Sequence, residues 1–195
     1  MIEFEVDNYR NALYNESMNN KMIDVISCSL RGFRLPRYHE IPDVGLYLEQ
    51  TTKYINQCIQ PLGFENVTST MIRNYVKHGL ITNPVKKQYT ADQIAHLIAL
   101  ALLKQVTPLE HISDLFQLLA QGGTYSVPVA YDYFCEELEN ILFFRFGLKE
   151  TIDEVGVTSS LEKEMLRSAV TAVSHIVYLN RCFLVLEEQN HEKGI

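Results

Sequence analysis

The residues of this chain with the plainest chemical purpose are cations set close together without acids: Arg73, Lys77, Lys86 and Lys87, with Asn74 and Tyr75 among them. From Thr68 to Tyr89 there is no Asp or Glu, although the whole chain carries a formal net charge of -7. Arginine, asparagine and lysine on a short helix can read base edges or fix phosphates in a DNA major groove. Lysines at a hairpin tip can neutralise the flanking backbone, and any carboxylate in the same run would repel it. The asymmetry extends to Lys104, since Asp92 is the only acid between Thr68 and that residue. The pattern is a basic head on an acidic body.

Other chemistry finds little support. His39, His78, His96, His111, His175 and His191 show no metal-ligand spacing, and Cys28, Cys58, Cys135 and Cys182 form no CxxC pair. No phosphate loop, nucleophile elbow or dinucleotide fingerprint occurs. The expectation is therefore no metal, no cofactor and no enzyme activity. A second basic cluster, Arg31, Arg34 and Arg37, reads as a connector bordering the acidic body rather than an arm lying on DNA. The aromatic stretch from Tyr125 to Phe146 reads as core, with a pocket for an unknown small-molecule effector as the rival reading. Tyr75 stands open between a core ring and a phosphate contact; Tyr89 is expected to anchor the core.

At 195 residues, 47% hydrophobic and 21% charged, the chain has a globular composition. The acidic, polar N-terminus lacks the basic start and apolar run of a secretory signal. The apolar region from Ala169 to Leu186 is interrupted by His175, Asn180 and Arg181. A cytoplasmic protein with no membrane segment and reduced thiols is expected.

The elements that must position the cations read as helices almost throughout. A first helix is expected from Asp7 to Leu30, and a second from an Asp43 cap to Ile59. A short one follows from Ser69 to His78, with Thr68 as N-cap and Gly79 as the left-handed residue beyond its end. Asn83-Pro84 signals a turn between short strands at Ile81 and Val85. Thr90 with Gln93 makes a capping box for an apolar helix to Lys104, and Thr107-Pro108-Leu109-Glu110 opens the next. Ser159 with Glu162 opens a last helix reaching Glu188. There Arg167, Thr171, Ser174 and Arg181 form one thin polar stripe, so the helix is expected to be the centre of a bundle or half of a dimer core. No a/d heptad run stands out, and no long coiled coil is expected.

The stretch MIRNYVKHGLITNPVKKQY resembles the winged-helix head of MerR-type transcription regulators. Ile72-Arg73 stands at that family's Leu-Arg pair, Tyr75 at its second aromatic, Gly79-Leu80 at its Gly-Leu, Pro84 at the wing proline and Tyr89 at the closing tyrosine. Asn74 replaces an aromatic, and the wing lacks the family's Gly-Tyr-Arg. LPRYHEIPDVGLYLEQTTKYI, together with MIRNYVKHGLI, PVKKQY and LLKQV, resembles a bacterial family catalogued as domain of unknown function 1836, from Leu35 to the C-terminus. These resemblances imply an all-α protein with a MerR-like winged helix-turn-helix head, a short two-stranded wing and a helical bundle body. The expected regions are 1–42, an N-terminal helix and connector; 43–120, the DNA-binding region; and 121–195, a body for dimerisation or effector binding. The expected function is transcription regulation by a homodimer on double-stranded DNA, through Arg73, Asn74, Tyr75, Lys77, Lys86 and Lys87. The competing expectation is a protein-interaction adaptor on the same scaffold, without DNA binding.

Overall fold

The computed structural model describes residues 20–121, 125–155 and 160–192. Among these the chain is mostly helical, with seven helices and one small two-stranded antiparallel sheet. The all-α expectation holds at that level.

Residues 20–28 form α1; the earlier part of the expected first helix lies outside the described residues. The connector after it packs as an extended strap, with Phe33, Leu35 and Ile41 buried. Leu46–Tyr47 forms β1, and α2 then runs Leu48–Ile59. This start is later than the Asp43 cap implies, because the intervening backbone is taken up by the strand. Gln50 Oε1 accepts from the Tyr47 N–H at 2.9 Å and closes the helix end that Asp43 was expected to close.

A 3-10 turn, Gln60–Leu62, ends at Gly63 (φ +75°) and leads toward α3, Ser69–Lys77. Gln88–Tyr89 forms β2, paired with β1 so that Leu46 faces Tyr89 and Tyr47 faces Gln88. The Thr90/Gln93 capping box forms as expected: Thr90 N–H donates to Gln93 Oε1 at 2.9 Å and Gln93 N–H to Thr90 Oγ1 at 3.4 Å. It opens α4, Ala91–Leu103. Next come α5, Leu109–Gln121, α6, Val127–Arg145, and α7, Leu161–Glu192. Ser159 lies outside the described residues; Ser160 Oγ takes the Lys163 N–H at the start of α7.

The bundle is centred on α4 and not on the last helix. From Ile94 to Leu103 the side chains of α4 are buried, apart from the half-buried His96. A helix apolar on every side can be satisfied only by neighbours all round it, and α4 packs on α2, α6 and α7. One hydrophobic cluster runs from Ile26 to Val177 and joins the basic head to the helical body.

α7 is arranged the other way round from its sequence reading. Its polar stripe turns toward the protein: Ser174 is fully buried, Arg167 Nε pairs with Glu137 Oε1 at 3.0 Å, and Arg181 donates to the Pro61 carbonyl. Glu137 is fully buried, and loss of water pushes its carboxyl above the usual range despite Arg167. The outward face carries the exposed Met165, Ala172, Leu179, Phe183 and Leu186, with the polar Ser168 and His175 exposed among them, while Ala169 and Ile176 are half-buried against the core. Leu179 and Phe183 are 48% and 54% exposed. Leu166, Val170, Val173 and Val177 form a second, buried apolar stripe beside that face. By length and composition alone, Leu161–Glu188 is apolar enough to cross a membrane; in this fold its inner face packs on α4, α5 and α6.

Candidate nucleic-acid interface

The short helix α3 is fixed at both ends by local chemistry. Thr68 Oγ1 accepts from the Met71 N–H at 3.2 Å. At the other end Gly79 (φ +74°) lets its own N–H reach the Val76 carbonyl at 3.0 Å, and the Leu80 N–H reach the Tyr75 carbonyl at 2.9 Å. This pair of bonds is the Schellman arrangement, which requires a left-handed residue at that position. The turn entering α3 is clamped by Asn56 of α2, whose amide donates to the Val67 carbonyl at 2.9 Å and accepts from the Val67 N–H at 2.8 Å. Nothing in the sequence distinguishes Asn56 from any polar residue on a helix face, and it was missed.

So held, α3 buries Ile72 and Tyr75 and exposes Thr70, Arg73, Asn74 and Lys77. These four stand at i, i+3, i+4 and i+7, the spacing of one continuous helix face. Tyr75 separates from the other candidate residues. At 5% exposed its ring is in the core, and burial raises the phenol's pKa. Tyr89 is buried as well, and the Arg73 guanidinium lies close enough to oppose part of the upward shift of its phenol. That proximity ties the exposed face of α3 to β2.

The wing differs from its sequence reading in where it turns. The reversal falls at Lys86-Lys87, not at Asn83-Pro84. Val85 and Gln88 exchange both backbone hydrogen bonds, at 3.1 and 2.9 Å, which closes a two-residue hairpin turn. Both lysines take positive φ, 51° and 67°. Turns of this kind normally use Asn-Gly, because L-residues with a Cβ are strained there. No residue type in the sequence announced it. The strand partners are also different: β2 pairs with β1, upstream of α2, and Gly45 is needed where the strands meet. A Cβ there would stand 2.8 Å from Gln88 Cβ.

Arg73, Lys77, Lys86 and Lys87 are all exposed, and among the described residues no carboxylate pairs with them. The nearby acids are engaged elsewhere. Asp92 accepts from the Tyr38 hydroxyl at 2.5 Å, Glu65 lies by Lys104, and Glu49 accepts from Ser69 Oγ at 2.9 Å at the first turn of α3.

Two of the three arginines of the second basic cluster are spent internally, while Arg31 is exposed with no ion pair among the described residues. Arg37 makes two bonds to Glu139 of α6, each 2.7 Å, and Glu139 also accepts the Leu35 N–H at 2.8 Å. Arg34 pairs with Glu40 at 2.9 Å, and this holds the Glu40 carboxyl down at about 2. The strap therefore borders the acidic body, as expected. Among the described residues no group of His, Cys, Asp and Glu is placed to hold a metal. Burial pushes the Cys58 and Cys135 thiols up to about 12, which suits inert core positions.

Residues 36–134 match the family model described as "Domain of unknown function (DUF1836)". No curated protein and no solved structure matches the chain.

Proposed function

The chain belongs to the DUF1836 family, and we propose that it is a transcription regulator that binds double-stranded DNA as a homodimer. α2 and α3 act as a MerR-like helix-turn-helix. The hairpin from Val85 to Tyr89 acts as its wing. One observation carries the reading: an acidic chain displays four cations with no carboxylate partner among the described residues, on a short helix and an adjoining hairpin tip. Unpaired exposed cations on an acidic protein gain most from a polyanion, through release of the ions condensed on it.

In this reading Arg73, Asn74 and Lys77 enter the major groove, where arginine reads guanine and asparagine reads adenine. Lys86 and Lys87 fix flanking phosphate, which positions the head without reading sequence. Tyr75 and Tyr89 support the helix and the wing from beneath. The exposed apolar side chains of α7, Met165, Leu179, Phe183 and Leu186, support a second copy as the partner. A two-fold axis lets one such apolar face satisfy another identical one. The DNA target is then an inverted repeat.

Selection from a randomised duplex pool tests this, run with the full chain and with Phe183→Glu. The expected result is an enriched palindrome for the full chain, and loss of tight palindrome binding with the monomeric variant. No enrichment by either protein contradicts the DNA reading. An enriched single half-site bound equally by both contradicts the dimer.

A further inference from the structure

Where α4, α5 and α6 meet, the core is not filled. Ala95 and Ala99 of α4 face Ala130 of α6, and between them lies a chamber of about 90 Å³ with Phe116 and Phe134 in its walls. Protein interiors normally close such gaps with larger side chains. A second hollow of about 270 Å³ adjoins it, since His96, Phe116 and Val127 line both. The wall of this outer hollow includes Leu80, Ile81 and Thr82, the segment that joins α3 to the wing.

The polar groups at the outer end favour one kind of ligand. Both donors of Gln93 are used: its amide nitrogen serves the Thr82 carbonyl and hydroxyl at 2.8 and 3.0 Å, and its oxygen takes the Thr90 N–H. His96 Nδ1 lies 2.7 Å from the Asp92 carbonyl, which can only accept, so Nδ1 carries a proton. Asp92 uses one carboxylate oxygen for the Tyr38 hydroxyl. Its negative charge in the first turn of α4 outweighs the partial positive charge of that helix end. Among the described residues no Lys or Arg lines either hollow. What remains at the outer end is the second oxygen of the Asp92 carboxylate, beside an apolar, aromatic-walled chamber whose inner wall holds the buried Tyr131 hydroxyl without a hydrogen-bond partner among the described residues.

We propose that the two hollows form one binding site for a small aromatic amine, with its ring among Ala99, Phe116, Ala130 and Phe134 and its ammonium group at Asp92. Such binding does not depend on the DNA reading.

Calorimetric titration of the full chain with 2-phenylethylamine, and with the similarly shaped anion 3-phenylpropionate, tests it. The amine is expected to bind, and the carboxylate to bind at least about tenfold more weakly, the size of one charge-assisted hydrogen bond. Asp92→Asn is expected to weaken the amine by about the same factor. Ala130→Leu is expected to abolish binding by filling the chamber; Ala130 is only half-buried, and a circular dichroism melt checks that the variant is folded. Failure of the amine to bind overturns the proposal. So does equal affinity for amine and carboxylate, or amine binding unchanged in Asp92→Asn. If Ala130→Leu does not fold, the Asp92→Asn titration decides the matter alone.

Discussion

The strap before α2 and the head formed by α3 and the wing are both rich in basic residues, and the fold treats them in opposite ways. Arg34 and Arg37 of the strap are spent on Glu40 and Glu139. Arg73, Lys77, Lys86 and Lys87 of the head face solvent with no acid partner among the described residues. Residue type is the same, so type alone does not mark a polyanion-binding surface. What differs is the supply of carboxylates. The strap lies against an α6 that offers Glu139, whereas the segment from Thr68 to Tyr89 contains no acid. A cation already satisfied by a buried carboxylate has little to gain from a phosphate; an unpaired one keeps the whole gain.

The contrast breaks first at Arg37. Removing it leaves Glu139, whose side chain is only 10% exposed, without its cation. Arg37→Ala is expected to cost about 3 kcal/mol of stability, the scale for breaking a buried pair, as read from urea unfolding. DNA affinity of the folded fraction should not change. Arg73→Ala should do the reverse, with a loss of about 1–3 kcal/mol in specific DNA binding and an unchanged melt. A variant that swapped these phenotypes would refute the division between structural and binding cations.

The sharpest single case is the wing tip, where both roles meet. Lys86 and Lys87 hold positive φ that suits Asn-Gly far better. Lys86→Asn/Lys87→Gly is expected to stabilise the fold by about 1 kcal/mol, by relieving left-handed strain, while weakening DNA binding. Strain kept at an exposed turn is of the kind that clusters at functional sites. A variant that gains no stability would remove that support for a binding role.

Much of this was legible because some local signals have a single physical solution. Gly79 after an amphipathic turn, Thr68 before it and the Thr90/Gln93 pair each specify a helix end, and each end falls within a residue of its expected place. The charge asymmetry located the exposed face of α3. What was not legible depended on partners distant in sequence. The hairpin turn could not be read because lysine is a poor residue for it, so Asn83-Pro84 drew the assignment. β1 was hidden inside an expected helix, since two residues pairing with β2 leave no periodic pattern. Tyr75 could not be assigned to core or surface until α3 was packed on its neighbours. The exposed apolar side chains of α7 were masked because they share the helix with a buried apolar stripe.

The most direct test of the central claim is the salt dependence of duplex-DNA binding, by fluorescence anisotropy, for the unaltered chain, Lys86→Gln/Lys87→Gln and Arg34→Gln. Removing one lysine that neutralises a phosphate should flatten the plot of log affinity against log salt by about one unit. The wing variant is therefore expected to have a slope shallower by about two units, with Arg34→Gln superimposing on the unaltered chain. Three superimposed plots, or a slope that falls only with Arg34→Gln, would contradict the account.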